Sequence, residues 1–245
     1  MASDLDVDQL ATYLHLTPQQ VIKLAERGQL PGRRVGQVWR FAEAELHGWL
    51  ENRIGTSQGE QLVQVQRVVN RWSDSQVDEL SLRDLMSPEA IEIPLQARTR
   101  SSVIRRMCEL GQLTGLLWDI PKMVQAVEAR EELHPTALDS GVALLHPRRP
   151  QTSILGGPLI VLGVTPTAIP FGNRSGHATD VFLLICSTDD RVHLRVLTRL
   201  SRLLLSTSFL EQIRQIDNVA DALDAITQAD DHLQMLDSAT VMSKS

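Results

Sequence analysis

Three apolar runs in the second half of the chain restrict the fold most. They are Val142-Ala143-Leu144-Leu145, the stretch Leu159 to Val164, and the stretch Val181 to Cys186. A strand with one wet face alternates apolar and polar residues, whereas a strand without polar interruption is buried on both faces. Helical patterns lie between and around these runs. Arg100 to Leu113 places Val103, Ile104, Met107 and Leu110 on one face, and Pro121 opens a helix that buries Met123, Val124 and Val127. A short helix over Leu82 to Met86 and a short strand over Ile91 to Ile93 precede them, and three helices from Val192, Phe209 and Val219 close the chain. Strand and helix periods in alternation predict an α/β sheet covered by helices.

The first fifty residues follow a different rule. Val7, Leu10, Ala11 and Leu14 have helical spacing. Thr17 is placed as an N-cap and Pro18 at the first position of a second helix, which buries Val21, Leu24 and Ala25 and ends at Gly28. Two short strands flank a Gly36-Gln37 turn, and a third helix runs from Ala42 to Asn52 with Leu46, Trp49 and Leu50 inward. Helix, turn, helix, wing and helix make a winged helix-turn-helix. From Gly28 to Phe41 the order glycine, Leu-Pro, a basic pair, Val-Gly and Trp-Arg-Phe resembles the excisionase/MerR-like DNA-binding module.

The chain carries a net charge of −6, so bulk electrostatics do not draw it to nucleic acid. Between Val21 and Arg40, however, Lys23, Arg27, Arg33, Arg34 and Arg40 face a single Glu26, and phosphate contacts need such a local cluster. In the resemblance, Gln19, Gln20, Lys23 and Arg27 on the second helix approach the major groove of double-stranded DNA. Arg33, Arg34 and Gln37 on the wing would hold the backbone or reach the minor groove, and Arg40 belongs to the same DNA-facing set. A solvated helix pair that binds no nucleic acid, or one that docks a protein, is the alternative.

Residues 1–55 are read as the winged domain, 56–78 as a helical connector and 79–245 as the α/β domain. In the connector, Leu62, Val65, Val69 and Trp72 are spaced three, four and three apart. That is the seam of a short coiled coil, and a homodimer through residues 60–72 would set two winged units side by side. A helix that packs on its own chain fits the same spacing.

His146 closes the first apolar run. Upstream lie Arg130-Glu131, the turn His134-Pro135-Thr136, and Gly141 before the strand. This order resembles the phosphorylation signature of fructose/mannitol-type enzyme IIA domains of the phosphoenolpyruvate-dependent phosphotransferase system, and of their nitrogen-regulatory relatives. The likeness runs from about Leu80 to Ile226 and implies a central mixed sheet flanked by helices. It implies that His146 accepts a phosphoryl group from an HPr-like carrier protein, that His193 stands beside it, and that Arg130 lines the site. Thr136 offers a hydroxyl. For this role the imidazole needs to be unprotonated, open to solvent and within touching range of His193 and Arg130. Free N–H groups at the start of the helix bearing His193 would favour a phosphate. This chain departs from the pattern at Leu145, where the family carries proline, and at Pro135 and Ala137.

No glycine-rich phosphate loop and no metal-like spacing of Cys or His occurs, so neither metal nor cofactor is expected. Cys108 and Cys186, far apart, argue for a reducing compartment. No run is long enough to span a bilayer. A cytoplasmic regulator is the leading expectation, with DNA reading coupled to phosphorylation. A plain phosphocarrier that serves a sugar-transport subunit, and a degenerate domain that only binds partners, stand beside it.

Overall fold

The computed structural model describes residues 4–14, 16–56, 81–173 and 175–242. The chain divides into two compact units, Met1–Asp78 and Glu79–Ser245. The expected coiled-coil seam at residues 60–72 lies outside the described residues.

In the first unit, α1 spans Val7–Leu14 and α2 spans Pro18–Glu26. Asp6 caps α1, accepting from Gln9 N at 2.8 Å while Gln9 Oε1 accepts from Asp6 N at 2.9 Å. Thr17 caps α2 in the same reciprocal way with Gln20. Gly28, at φ 66°, ends that helix where a side chain would strain the backbone. Strand β2 (Arg33–Val35) turns through Gly36 into β3 (Val38–Ala42), and α3 follows over Glu43–Thr56. The expected two-stranded wing is in fact three-stranded, because β1 (Asp4–Leu5) pairs antiparallel with the end of β3. Leu10, Val21, Leu30, Phe41 and Leu46 form the core, with Trp39 and Trp49 half-buried against it.

In the second unit, two 3-10 turns (Leu82–Leu85 and Pro88–Ala90) lead into β4 (Ile91–Glu92). Helices α4 (Arg100–Leu113) and α5 (Ile120–Leu133) follow, then β5 (Val142–Leu145), β6 (Leu159–Ile169) and β7 (Thr179–Cys186). Helices α6 (Asp190–Leu203), α7 (Thr207–Gln215) and α8 (Val219–Met242) end it. The sheet order is β4-β6-β7-β5. β4 runs parallel to β6 and β5 parallel to β7, while β6 and β7 are antiparallel, so the sheet is mixed.

Ala143, Leu145, Val161, Phe182 and Leu184 share a core with Val103, Met107, Met123 and Val127 of α4 and α5. The alternate residues of the same strands turn to the other face. There α6 packs against β7. Every residue of β5 is buried, so the sheet is covered on both sides. Each such aliphatic side chain contributes about 1.5–3 kcal/mol on leaving water. Continuing the alternation past Leu145 puts position 146 on the α6 face. Among the described residues, no helix is long and apolar enough to cross a membrane.

Candidate functional site: a buried histidine pair and a basic winged face

The second unit gathers the expected groups at the end of β5. The rings of His146 and His193 lie 5.1 Å apart, centroid to centroid, tilted by 48°. His146 arrives from the strand end and His193 from the first turn of α6, which the β5–β7 pairing brings alongside. Arg130, in the last turn of α5, donates from Nε to His146 Nε2 at 3.1 Å and from Nη1 to the His134 carbonyl at 2.8 Å.

These contacts fix the tautomer of His146. A guanidinium can only donate, so Nε2 is the accepting nitrogen and carries the lone pair. The proton is on Nδ1, which donates to the Leu144 carbonyl at 2.8 Å. Burial, then His193, then Arg130 hold the imidazole well below its usual pKa, so it is neutral at pH 7. The nucleophilic nitrogen of a neutral imidazole is therefore set toward the arginine.

The ring is 2% exposed, which corrects the expectation that it stands open to solvent. In the second unit the strand stays buried up to Leu145, Nδ1 of the ring is bonded to the Leu144 carbonyl and Nε2 to Arg130, and the His193 ring lies against it. These neighbours are polar groups rather than hydrocarbon. A second correction concerns the start of α6. The Asp189 carboxylate already takes Arg191 N and Val192 N, each at 2.9 Å, so an anionic side chain fills the donors expected to be free for phosphate.

Thr136 is buried, and its hydroxyl donates to Glu131 rather than toward a ligand. Both Glu131 oxygens also accept from Thr136 N at 3.2 Å. Burial raises the Glu131 carboxyl above the ordinary value, opposed by the Thr136 bonds and by Arg100 and Arg130. Sequence reasoning quoted Glu131 only as part of the Arg-Glu pair and gave it no role. The signal was there, a glutamate beside the arginine of the motif, but a charged helical residue is ordinarily solvated.

The remaining histidines were expected at the surface or in turns. His134, His177 and His232 are exposed, whereas His47 is buried with Nε2 2.9 Å from the Tyr13 hydroxyl. His15 lies outside the described residues. Cys108 and Cys186 are buried free thiols.

On the winged unit, Gln19, Lys23 and Arg27 are exposed along α2, and Arg33, Arg34 and Gln37 are exposed on the wing; Arg40 is half-buried. Gln20 is exposed too, but its Oε1 accepts from Thr17 N at 2.8 Å and so serves the cap. Arg33 Nη2 pairs with Asp4 Oδ2 at 2.6 Å, and the Arg34 guanidinium lies 5.6 Å over the Trp39 ring. Lys23, Arg27, Arg33 and Arg34 are thus exposed cations of this unit, with Glu26 exposed among them.

Residues 84–229 match the family of the phosphoenolpyruvate-dependent sugar phosphotransferase system, EIIA 2, and the chain belongs to that family. Residues 5–54 match a helix-turn-helix domain. A fructose-specific EIIABC component of the phosphotransferase system from Bacillus subtilis is 23% identical over 153 residues, which is 62% of this chain and 24% of the relative. A mannitol-specific EIICBA component from Escherichia coli is 25% identical over 216 residues, 85% of this chain and 33% of the relative. The chain thus spans a third or less of these two relatives' length. The crystal structure of IIA mannitol from Escherichia coli superposes with a TM-score of 0.52 at 24% identity, over 58% of this chain and 98% of that one. At that identity the likeness concerns the fold.

Proposed function

We propose that this chain is a DNA-binding regulator whose EIIA-type unit accepts a phosphoryl group on Nε2 of His146. The observation that carries the reading is the fixed tautomer: Nδ1 bonded to Leu144, Nε2 unprotonated, and His193 and Arg130 against the same ring. A neutral imidazole is a competent nucleophile near pH 7. The donor is a phosphohistidine carrier of the HPr type.

In the step, Arg130 withdraws its Nε–H from Nε2. The Nε2–P bond forms as the donor's N–P bond breaks, and the protonated donor ring leaves as a neutral imidazole. The proton stays on Nδ1, which keeps donating to the Leu144 carbonyl, so the His146 ring takes up the positive charge beside the phosphoryl dianion. Arg130 then offers its fork to the phosphoryl oxygens, and His193 stands within reach of a third oxygen. Positioning and charge are what such a transfer asks of the protein.

The winged unit binds double-stranded DNA through the exposed face of α2, with Gln19, Lys23 and Arg27 toward the groove. Arg33, Arg34, Gln37 and Arg40 contact the backbone. Phosphorylation adds negative charge at His146 and changes affinity for DNA. The expected compartment is the cytoplasm, and homodimerisation through residues 60–72 remains part of the proposal.

The test is incubation with radiolabelled phosphoenolpyruvate, enzyme I and HPr, followed by titration onto a random-sequence duplex. Label on the parent and none on His146→Ala, with DNA affinity altered by phosphorylation, supports the reading. Label without any change in affinity reduces the chain to a phosphocarrier. The near-complete burial of His146 favours a second reading, an EIIA-type unit that works only through protein contacts. Absence of label on the parent selects it.

A further inference from the structure

Glu131 follows Arg130 in the last turn of α5 and is 1% exposed. A carboxylate that deep is costly unless its oxygens are bonded. They are bonded chiefly to one residue, Thr136, through its N–H and its hydroxyl. Arg100 approaches from the other side at 3.5 Å. Thr136 is in turn tied to β5, because its carbonyl accepts from Leu144 N at 3.4 Å, two residues before His146. Pro135 has no N–H to offer, so Thr136 N is the backbone donor by which the Pro135-Thr136 step is held to Glu131.

Arg130 grips the same segment at the His134 carbonyl, and the same guanidinium reaches His146 Nε2. The carbonyl can hold the guanidinium only where residues 134–136 are held. One helical turn thus carries both the group that touches the histidine and the group that fixes what that group rests on.

We propose that Glu131 is a positioning residue for His146: it fastens Thr136, and through the His134 carbonyl it places the Arg130 guanidinium against Nε2. Glu131 itself touches no phosphoryl group. The effect on transfer rests on the function proposed above, whereas the effect on the imidazole does not.

The experiment uses the full chain with nitrogen-15 histidine and reads the Nε2 resonance of His146 alongside the rate of phosphoryl transfer from phosphorylated HPr. The variants are Arg130→Ala, Glu131→Gln, Thr136→Val, Thr136→Ser and the double variant Arg130→Ala with Glu131→Gln. Glu131→Gln and Thr136→Val are expected to move the resonance in the direction set by Arg130→Ala. The double variant matches Arg130→Ala alone, because both changes act through one contact. Transfer slows roughly 10- to 100-fold in Glu131→Gln, as expected for a displaced charge clamp, and Thr136→Ser stays near the parent.

Thr136→Val removes the hydroxyl bond of the clamp from the less buried side, leaving only the Thr136 N–H, and keeps the test decisive should Glu131→Gln fail to fold. Two results overturn the inference: a resonance left in place by Glu131→Gln and Thr136→Val while Arg130→Ala shifts it, or effects that add in the double variant. A parent that accepts no phosphoryl group overturns the proposed function instead, and the resonance still decides the role of Glu131.

Discussion

Arg130 and His146 hold each other in one protonation arrangement: Nε of the guanidinium donates at 3.1 Å to Nε2 of the imidazole. A protonated imidazole has no lone pair to receive that bond and would face a permanent cation across it. The contact therefore selects the neutral ring, and it does so inside a site where burial already disfavours charge.

A pH dependence of stability follows. The unfolded ring takes up a proton as pH falls through its ordinary value of 6.5, and the folded ring does not until well below it. The stability present above 6.5 is therefore lost on acidification, at about 1.4 kcal/mol per pH unit. Glu131 works in the opposite sense, since its raised carboxyl favours the folded state at low pH and that benefit is lost as pH rises through the folded value. His146→Gln removes the first effect and leaves the second. Denaturant unfolding at about pH 7.5 and about pH 5.5 should show the parent losing about 1 kcal/mol more than His146→Gln. Equal losses would show that the native ring titrates normally.

The winged unit gives a prediction with an unusual sign. Arg33 is bound to Asp4 at 2.6 Å, and Asp4 sits on β1, paired beside the end of β3. An exposed pair of this kind contributes only about 0–1 kcal/mol to stability. It competes, however, with a phosphate for the guanidinium. Asp4→Asn is expected to strengthen binding to a random-sequence duplex at low salt, with little change in melting temperature. Lys23→Ala and Arg34→Ala each weaken binding and reduce the slope of log affinity against log salt by about 0.9. Weaker binding by Asp4→Asn would show that Arg33 is positioned, not restrained, by its partner.

Much of this arrangement was legible in the sequence where local signals are strong. Arg100 to Leu113 is legible to the residue because one apolar face runs through it, and the structure adds Thr99 as its cap. Val142 to Leu145 was read because an unbroken apolar run fits only a strand covered on both faces. Signals that depend on distant partners were missed. Asp4–Leu5 is too short for any period and becomes a strand only by pairing with Phe41 and Ala42. β6 runs on to Ile169 past Pro166, where the register shifts and residues 166–168 are exposed, whereas the unbroken apolar run stops at Val164. At the site, His146, His193 and Arg130 stood out by residue type and order. The closure of the ring did not, because it depends on side chains, Arg130 and His193 among them, that reach the strand end from segments distant in sequence. Nor did the occupation of the α6 donors by Asp189, since one aspartate reads equally as a cap or as solvated charge.

The cap of α2 supports the residues proposed to face DNA, and it can be tested apart from them. Thr17 accepts from Gln20 N at 3.3 Å and Gln20 returns the bond to Thr17 N. Thr17→Ala is expected to cost about 1 kcal/mol of stability. Gln20→Ala should cost part of that and change DNA affinity little, because its side-chain oxygen serves the helix. A large, base-dependent loss of affinity in Gln20→Ala with unchanged stability would place that side chain at a base edge instead.

A buried charge pair in the second unit joins three segments that are far apart in sequence. Asp230 of α8, fully buried, accepts from Arg199 of α6 and from Leu82 N at 2.9 Å, and the Ser81 hydroxyl lies 3.3 Å away. One carboxylate thus fixes the helix that carries His193, the last helix and the first described residues after the connector. Removing it leaves the Arg199 charge and the Leu82 N–H in a buried setting, so Asp230→Ala is expected to destabilise by about 3–5 kcal/mol. Pairing Asp230→Leu with Arg199→Met removes both charges at once and should recover much of that loss, since burying apolar groups in place of an ion pair is often close to neutral. Chemical denaturation of the single and double variants checks this. A double variant as unstable as the sum of the two single changes would mean that Arg199 and Asp230 contribute separately, and α6 would then owe its place to packing alone.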